Sequence, residues 1–278
     1  MDRYSEIKQR LLSLAETSEN LLAVIAIGSS ARDYSKADEY SDLDLLLVCS
    51  NPASWLYGDL PMQLGKVKIS FVEPAFGGGM ERRILYSDSL DVDLIVLTPE
   101  QMENAFQNGA APQVLSRGYA VLYDCIGISE ILKRKLNILS PHRQMTEAEF
   151  INTVNDFWFH AVWSAKKILR GEMWTAKMCI DAYMKGLLLK IMELRSSGQV
   201  DVWHNGRFLE KWAGADTITA LGGCFAHYDR SDLMAALRHT GKLYSDLARA
   251  AAQNWGFAYP MEAERYALSL LTDYLEEK

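Results

Sequence analysis

No apolar run in the 278-residue sequence approaches the ~18 residues that a membrane-spanning helix requires. The opening residues, Met1-Asp2-Arg3-Tyr4-Ser5-Glu6, also lack the apolar core of a signal peptide. A soluble, cytoplasmic protein with no membrane partner is expected. Cysteine is scarce: Cys49, Cys125, Cys179 and Cys224 lie far apart with no C-x-x-C pair. That excludes a cysteine-based zinc site and a disulfide framework, and predicts reduced, mostly buried thiols. His142, His160, His204, His227 and His239 fall at no metal-ligand spacing. Basic charge is in deficit, with 29 Lys and Arg against 36 Asp and Glu and a net charge of -7. Non-specific nucleic-acid binding needs clustered cations, so a cationic small molecule suits this chain better than DNA or RNA. Internal repeats and low-complexity segments are missing too. What remains, 49% hydrophobic and 23% charged residues, is the composition of a globular protein with a substantial core.

The hydrophobic pattern changes character along the chain. Ile7, Leu11 and Leu14 mark one face of a first helix. Leu21 to Ile27 is a continuous aliphatic run that stops at Gly28, as a buried strand entering a tight turn does. Leu43 to Cys49 reads as a second strand. Val67, Ile69 and Phe71 alternate with Lys66, Lys68 and Ser70, which predicts a half-buried strand over 66–72 with the apolar set inward. Gly77-Gly78-Gly79 reads as a flexible loop. Arg82 to Tyr86 and Leu90 to Leu97 form a hairpin around Ser87-Asp88-Ser89.

Beyond this the periodicity is helical. One helix carries Phe150, Val154, Phe157, Ala161 and Ile168; the next carries Ile180, Met184, Leu187, Ile191 and Leu194 and ends at Ser196-Ser197-Gly198. Ser231 caps a third helix, Pro260 opens a fourth, and Trp158, Trp163 and Trp174 are expected in the core. The fold class is therefore α+β. A mixed β-sheet flanked by helices over residues 1–140 precedes an all-helical domain over 141–278, with the boundary around Pro141.

Chemistry concentrates in Gly28-Ser29 and Asp42-Leu43-Asp44. Asp42 and Asp44, two apart at the start of a strand, project from one face while Leu43 and Leu45 turn to the core. Adjacent carboxylates repel and raise each other's pKa, a cost that a divalent cation removes. Hard oxygen donors with no His or Cys beside them fit Mg²⁺ shared with substrate phosphates. Gly28 allows close approach of the backbone to a phosphate, and Ser29 offers a hydroxyl and an amide. In Leu90-Asp91-Val92-Asp93, Asp93 is the third ligand expected and Asp91 the second choice. Aspartates of a D-x-D at a strand edge also occur as solvated or turn-capping groups.

Strand-Gly28-Ser29, then Asp42-x-Asp44, then Asp93 on a third strand resembles the nucleotidyltransferase superfamily related to polymerase β. Within it the chain resembles the aminoglycoside 6-adenylyltransferases, the streptomycin-modifying group. The likeness runs through Gly28-Ser29-Ser30-Ala31-Arg32, Asp38-Glu39-Tyr40-Ser41-Asp42-Leu43-Asp44 and Leu90-Asp91-Val92-Asp93. It continues in Phe157-Trp158-Phe159, in Ala165-Lys166-Lys167-Ile168-Leu169-Arg170-Gly171-Glu172 and in Tyr259-Pro260, nearly the whole chain. The resemblance implies transfer of AMP from ATP to a hydroxyl of a cationic aminoglycoside. It also implies a nucleotidyltransferase domain followed by a substrate-binding helical domain. Mg²⁺ would be held by Asp42, Asp44 and Asp93, and ATP would meet Gly28 and Ser29.

Lys177, Asp181 and Lys185 are spaced four apart, away from Ile180, Met184 and Leu187. They read either as a surface ladder of ion pairs or as functional groups, with Lys177 or Lys185 on the triphosphate and Asp181 accepting the hydroxyl proton. Related antibiotic-modifying enzymes are similar in carrying a carboxylate and a lysine on such a helix. Glu172 and Asp181 would favour a polycationic substrate. Lys166, Lys167 and Arg170 read as a solvated face. Other acceptors (a lincosamide, a protein side chain or an RNA end) and a non-catalytic nucleotide-binding relative are the competing readings.

Overall fold

The computed structural model describes residues 2–31, 37–136, 145–196 and 206–276. Arg32, Pro141, His142, Ser197, Gly198 and His204 lie outside them. The chain divides into two compact units, Met1–Arg143 and Gln144–Lys278.

The first unit opens with α1 (Ser5–Thr17), β1 (Leu21–Ile27) and β2 (Leu43–Cys49). A short α2 (Ala53–Leu56) leads to β3 (Val67–Pro74), β4 (Met80–Tyr86) and β5 (Leu90–Leu97). Then follow α3 (Pro99–Gln107), α4 (Ala110–Leu115), β6 (Ala120–Asp124) and α5 (Ile128–Leu136). The six strands form one sheet in the order β3-β4-β5-β2-β1-β6. Only β2 and β5 run parallel; every other pairing is antiparallel, so the sheet is mixed as expected. A two-faced sheet needs apolar residues at every strand position in its centre, and β1, β2 and β5 supply them. Leu43, Leu45, Leu47, Val92 and Leu94 pack beside Leu11 of α1, whereas Ile25, Leu46, Val48, Ile95 and Leu97 pack beside Met102, Ala105 and Phe106 of α3.

The edge strand β3 departs from the sequence expectation. Ile69 and Phe71 are 61% and 50% exposed. A register shift between Val67 and Ile69 puts Val67, Ser70 and Val72, rather than Val67, Ile69 and Phe71, toward the core side. One extra residue in one strand reverses every side chain beyond it. The Gly77 region is a packed turn between β3 and β4 and not a loose loop: a Cβ on Gly79 would stand 2.0 Å from Leu97 Cδ2.

The second unit is helical throughout its described residues. It contains α6 (Glu147–Leu169), α7 (Met173–Met178), a π-helical turn Cys179–Tyr183 and α8 (Met184–Ser196). Next come α9 (Leu209–Trp212), α10 (Ala215–Gly222), α11 (Arg230–Trp255) and α12 (Met261–Glu276). Thr146 and Glu149 close a capping box on α6. Phe150, Val154, Phe157, Ala161 and Ile168 are buried against Leu237, Tyr244 and Ala248 of α11, with the Phe157 and Tyr244 rings stacked 3.5 Å apart. Two expectations, the α11 cap and the burial of Trp174, are corrected. The cap of α11 is Asp229, whose carboxylate accepts from the Asp232 amide, and Ser231 lies inside the helix. The helix expected through Ile180 is continuous and carries a π turn at Cys179–Tyr183. Trp174 is 69% exposed, whereas Trp158 is buried. Cys49, Cys179 and Cys224 are buried free thiols, and Cys125 is an exposed one. Among the described residues no helix is long and apolar enough to cross a membrane.

Candidate active site

Strand register assembles the site. In the parallel β2–β5 pair, Asp44 stands opposite Asp93; in the β1–β2 pair, Ile27 stands opposite Asp44, so Gly28 follows directly beside it. Each acid continues an apolar row: Asp44, Leu46 and Val48 on one strand, Asp93, Ile95 and Leu97 on the next. The rows past the acids pack under α3 and α4, and the acids occupy the opposite end. Asp42 is delivered by a turn in which Asp38 accepts from the Tyr40 amide (2.9 Å) and the Ser41 hydroxyl (2.9 Å). The Tyr4 hydroxyl fixes that turn by donating to the Ser41 carbonyl at 2.8 Å.

Asp42, Asp44 and Asp93 converge, each offering an oxygen within 4.8 Å of the other two. Burial, and then the negative charges of Asp42, Asp93 and Glu81, push the Asp44 carboxyl up to about 7. Gly28 has φ +68°, and a Cβ there would stand 1.9 Å from Asp44 Oδ2. Only glycine fits both the backbone conformation and the carboxylate. Ser29 follows in a 3₁₀ turn, and its buried Oγ has no hydrogen-bond partner among the described residues.

Sequence reading missed two neighbours on β4. Arg83 donates to Asp93 Oδ2 from Nη2 (2.6 Å) and Nε (3.1 Å) and pairs with Glu81 at 3.2 Å. Burial first, then the Asp93 charge, pushes Glu81 up to about 7. The hairpin carried the missing signal. Arg83 and Asp93 are equally far from Asp88 at its tip, which makes them cross-strand partners. Asp91 stays outside the triad and lines an adjoining cavity with Asp42 and Asp93.

In the second unit, Lys177, Asp181 and Lys185 form a partly buried network and not a solvated ladder. Lys177 Nζ donates to Asp181 Oδ2 at 2.6 Å and also to the Ala226 carbonyl. Lys185 Nζ donates to Thr240 Oγ1 (2.9 Å) and the Ile180 carbonyl (3.2 Å), and lies 5.0 Å from the Phe225 ring centre. Burial lowers Lys185 to about 8. Asp181 Oδ1 is buried without a hydrogen bond, with Lys185 Nζ 4.0 Å away. Glu172 closes instead on Lys167 (2.6 Å) and Arg170 (2.9 Å), which tie two cations of the expected solvated face to it.

No curated protein matches the chain. Among solved structures it is similar to an aminoglycoside 6-adenyltransferase from Bacillus subtilis, at 16% identity and TM-score 0.47 with both chains covered in full. It is also similar to a nucleotidyltransferase-like protein from Exiguobacterium sibiricum, at 12% identity and TM-score 0.40, covering 89% of this chain and 77% of that one. The family model described as streptomycin adenylyltransferase matches residues 1–275. With a glycine-serine turn beside three converging aspartates and a family match over almost its entire length, the chain belongs to the streptomycin adenylyltransferase family of nucleotidyl-transferring enzymes.

Proposed function

We propose that the protein transfers AMP from ATP to a hydroxyl of a streptomycin-like aminoglycoside, with Mg²⁺ as cofactor and pyrophosphate as the second product. The meeting of Asp42, Asp44 and Asp93 beside the Gly28-Ser29 turn carries this reading. The donor set suits Mg²⁺: all three ligands are hard oxygens, and burial, followed by the repulsion of the neighbouring carboxylates, pushes Asp44 up to about 7, a cost that a bound cation relieves. When bound by these carboxylates, the ion neutralises phosphate charge and polarises the α-phosphate.

Gly28 keeps the turn clear of a side chain, and the unpartnered Ser29 hydroxyl donates to a phosphate oxygen. The acceptor oxygen bonds to the α-phosphorus, the bond from that phosphorus to the bridging oxygen breaks, and pyrophosphate departs with the electron pair. Asp181 takes the hydroxyl proton. Lys177 and Lys185 contact the triphosphate. Residues 1–140 serve as the catalytic domain and 141–278 as the substrate-binding domain.

Incubation with labelled ATP, Mg²⁺ and a panel of acceptors tests the reading. AMP on streptomycin supports it. AMP on a protein or RNA, or ATP binding with no transfer, refutes it. Asp181→Asn is expected to lower turnover about tenfold or more while ATP binding survives; wild-type kinetics would remove Asp181 from the mechanism.

A further inference from the structure

A cavity of about 290 Å³ starts at Asp42 and Asp93 of the carboxylate triad, and beyond those two acids its lining turns largely apolar. Ile69, Phe71 and Leu85 supply apolar surface; Asp91 and Arg83 supply charge. Ile69 and Phe71 are large side chains left open on an edge strand, where charge ordinarily guards against pairing with another sheet. Asp91 is exposed, and although its backbone meets the Tyr4 hydroxyl, its carboxylate makes no hydrogen bond or ion pair among the described residues. Arg83 does not neutralise it, because the guanidinium is committed to Asp93, Glu81 and Glu73.

Sheet order adds direction. The Gly28-Ser29 turn follows β1, the triad is carried at the start of β2 and on β5, and the cavity runs from Asp42 and the β5 acids Asp91 and Asp93 over β4 to β3. These are successive positions across one sheet, so the cavity extends from the triad in the direction away from the phosphate turn. An uncompensated Asp91 repels a triphosphate and attracts a cation. The volume sits at the lower edge of small-molecule pockets, roughly 300 to 1,000 Å³, which is room for part of a larger molecule.

We propose that this cavity is the acceptor subsite: Asp91 binds an ammonium or guanidinium group of a polyhydroxylated cationic ring compound, and Phe71 and Ile69 pack against the C–H face of the ring. The assignment rests on the nucleotidyl-transfer reading above and extends it to a substrate-binding residue outside the metal ligands.

Titration calorimetry on the full chain, with streptomycin as probe and Mg²⁺ with a non-hydrolysable ATP analogue present, tests it. Asp91→Asn is expected to weaken streptomycin about tenfold, the loss of one charge-assisted contact. Phe71→Ala is expected to weaken it about threefold through lost packing. Affinity for the ATP analogue stays at the wild-type value in both, and Glu130→Gln, an equal charge change on α5, leaves streptomycin binding unaltered. Wild-type streptomycin affinity in Asp91→Asn, an equal loss of analogue affinity, or no streptomycin binding to the wild type overturns the subsite. Streptomycin that binds through Asp91 but is never adenylylated overturns the transfer reaction and leaves the subsite standing.

Discussion

Gly28 and Asp44 show how much of a catalytic geometry can hang on single residues. A Cβ at position 28 collides with Asp44 Oδ2 at 1.9 Å. Gly28→Ala is therefore expected to reduce turnover roughly a hundredfold by displacing a reacting group about 1 Å, with the far-ultraviolet circular dichroism spectrum retained. Retained turnover would place the phosphate elsewhere. Asp44 makes a second prediction through its titration. Its folded pKa of about 7 stands above the ordinary 3.8 because of burial and then the neighbouring carboxylates. Between those values the folded chain keeps a proton that the unfolded chain has lost, so the stabilisation is complete at low pH and disappears as pH rises through 7. In EDTA the melting temperature should fall between pH 5 and pH 8, and Asp44→Asn should flatten that fall. Millimolar Mg²⁺ should restore stability at pH 8, where the carboxylate is free to bind it. A variant with the wild-type pH slope would contradict this assignment of the titration.

Elements differ in how openly the sequence announced them. β1 and β2 occupy the expected spans to the residue, because continuous aliphatic runs bounded by polar turns leave one reading. β3 kept its place but not its orientation, since a single bulge undid the alternation of Val67, Ile69 and Phe71. β6 escaped notice; five half-exposed residues leave too weak a pattern. In the helical unit, the π turn at Cys179–Tyr183 leaves no trace in an apolar periodicity that continues on both sides of it. The start of α11 is decided by which of two nearby capping residues reaches the free amides. Asp229 does so, accepting from the Asp232 amide at 3.0 Å. Asp229→Ala should therefore lower the midpoint of denaturant unfolding. Ser231→Ala should lower it clearly less; the reverse order would return the cap to Ser231.

At the scale of the whole molecule, the acidic balance and the two-part pattern were legible in the sequence, and so were the residue types of the proposed hard-cation site. Gly28, Ser29, Asp42, Asp44 and Asp93 could each be named because glycine, hydroxyl and paired acids have few roles at strand ends. Arg83 and Asp91 divide the two sources of information. Arg83 was one cation among 29 until hairpin register set it against Asp93. Asp91 was a rival metal ligand until the fold left it one row away from the triad, facing a cavity. The sequence by itself determined which strands and helices form and which acids end a strand, since propensity, periodicity and turn chemistry are local. Only tertiary structure decided which acids converge, which buried hydroxyl lacks a partner and which lysine loses its solvent, because convergence, burial and charge compensation depend on neighbours far away in the chain.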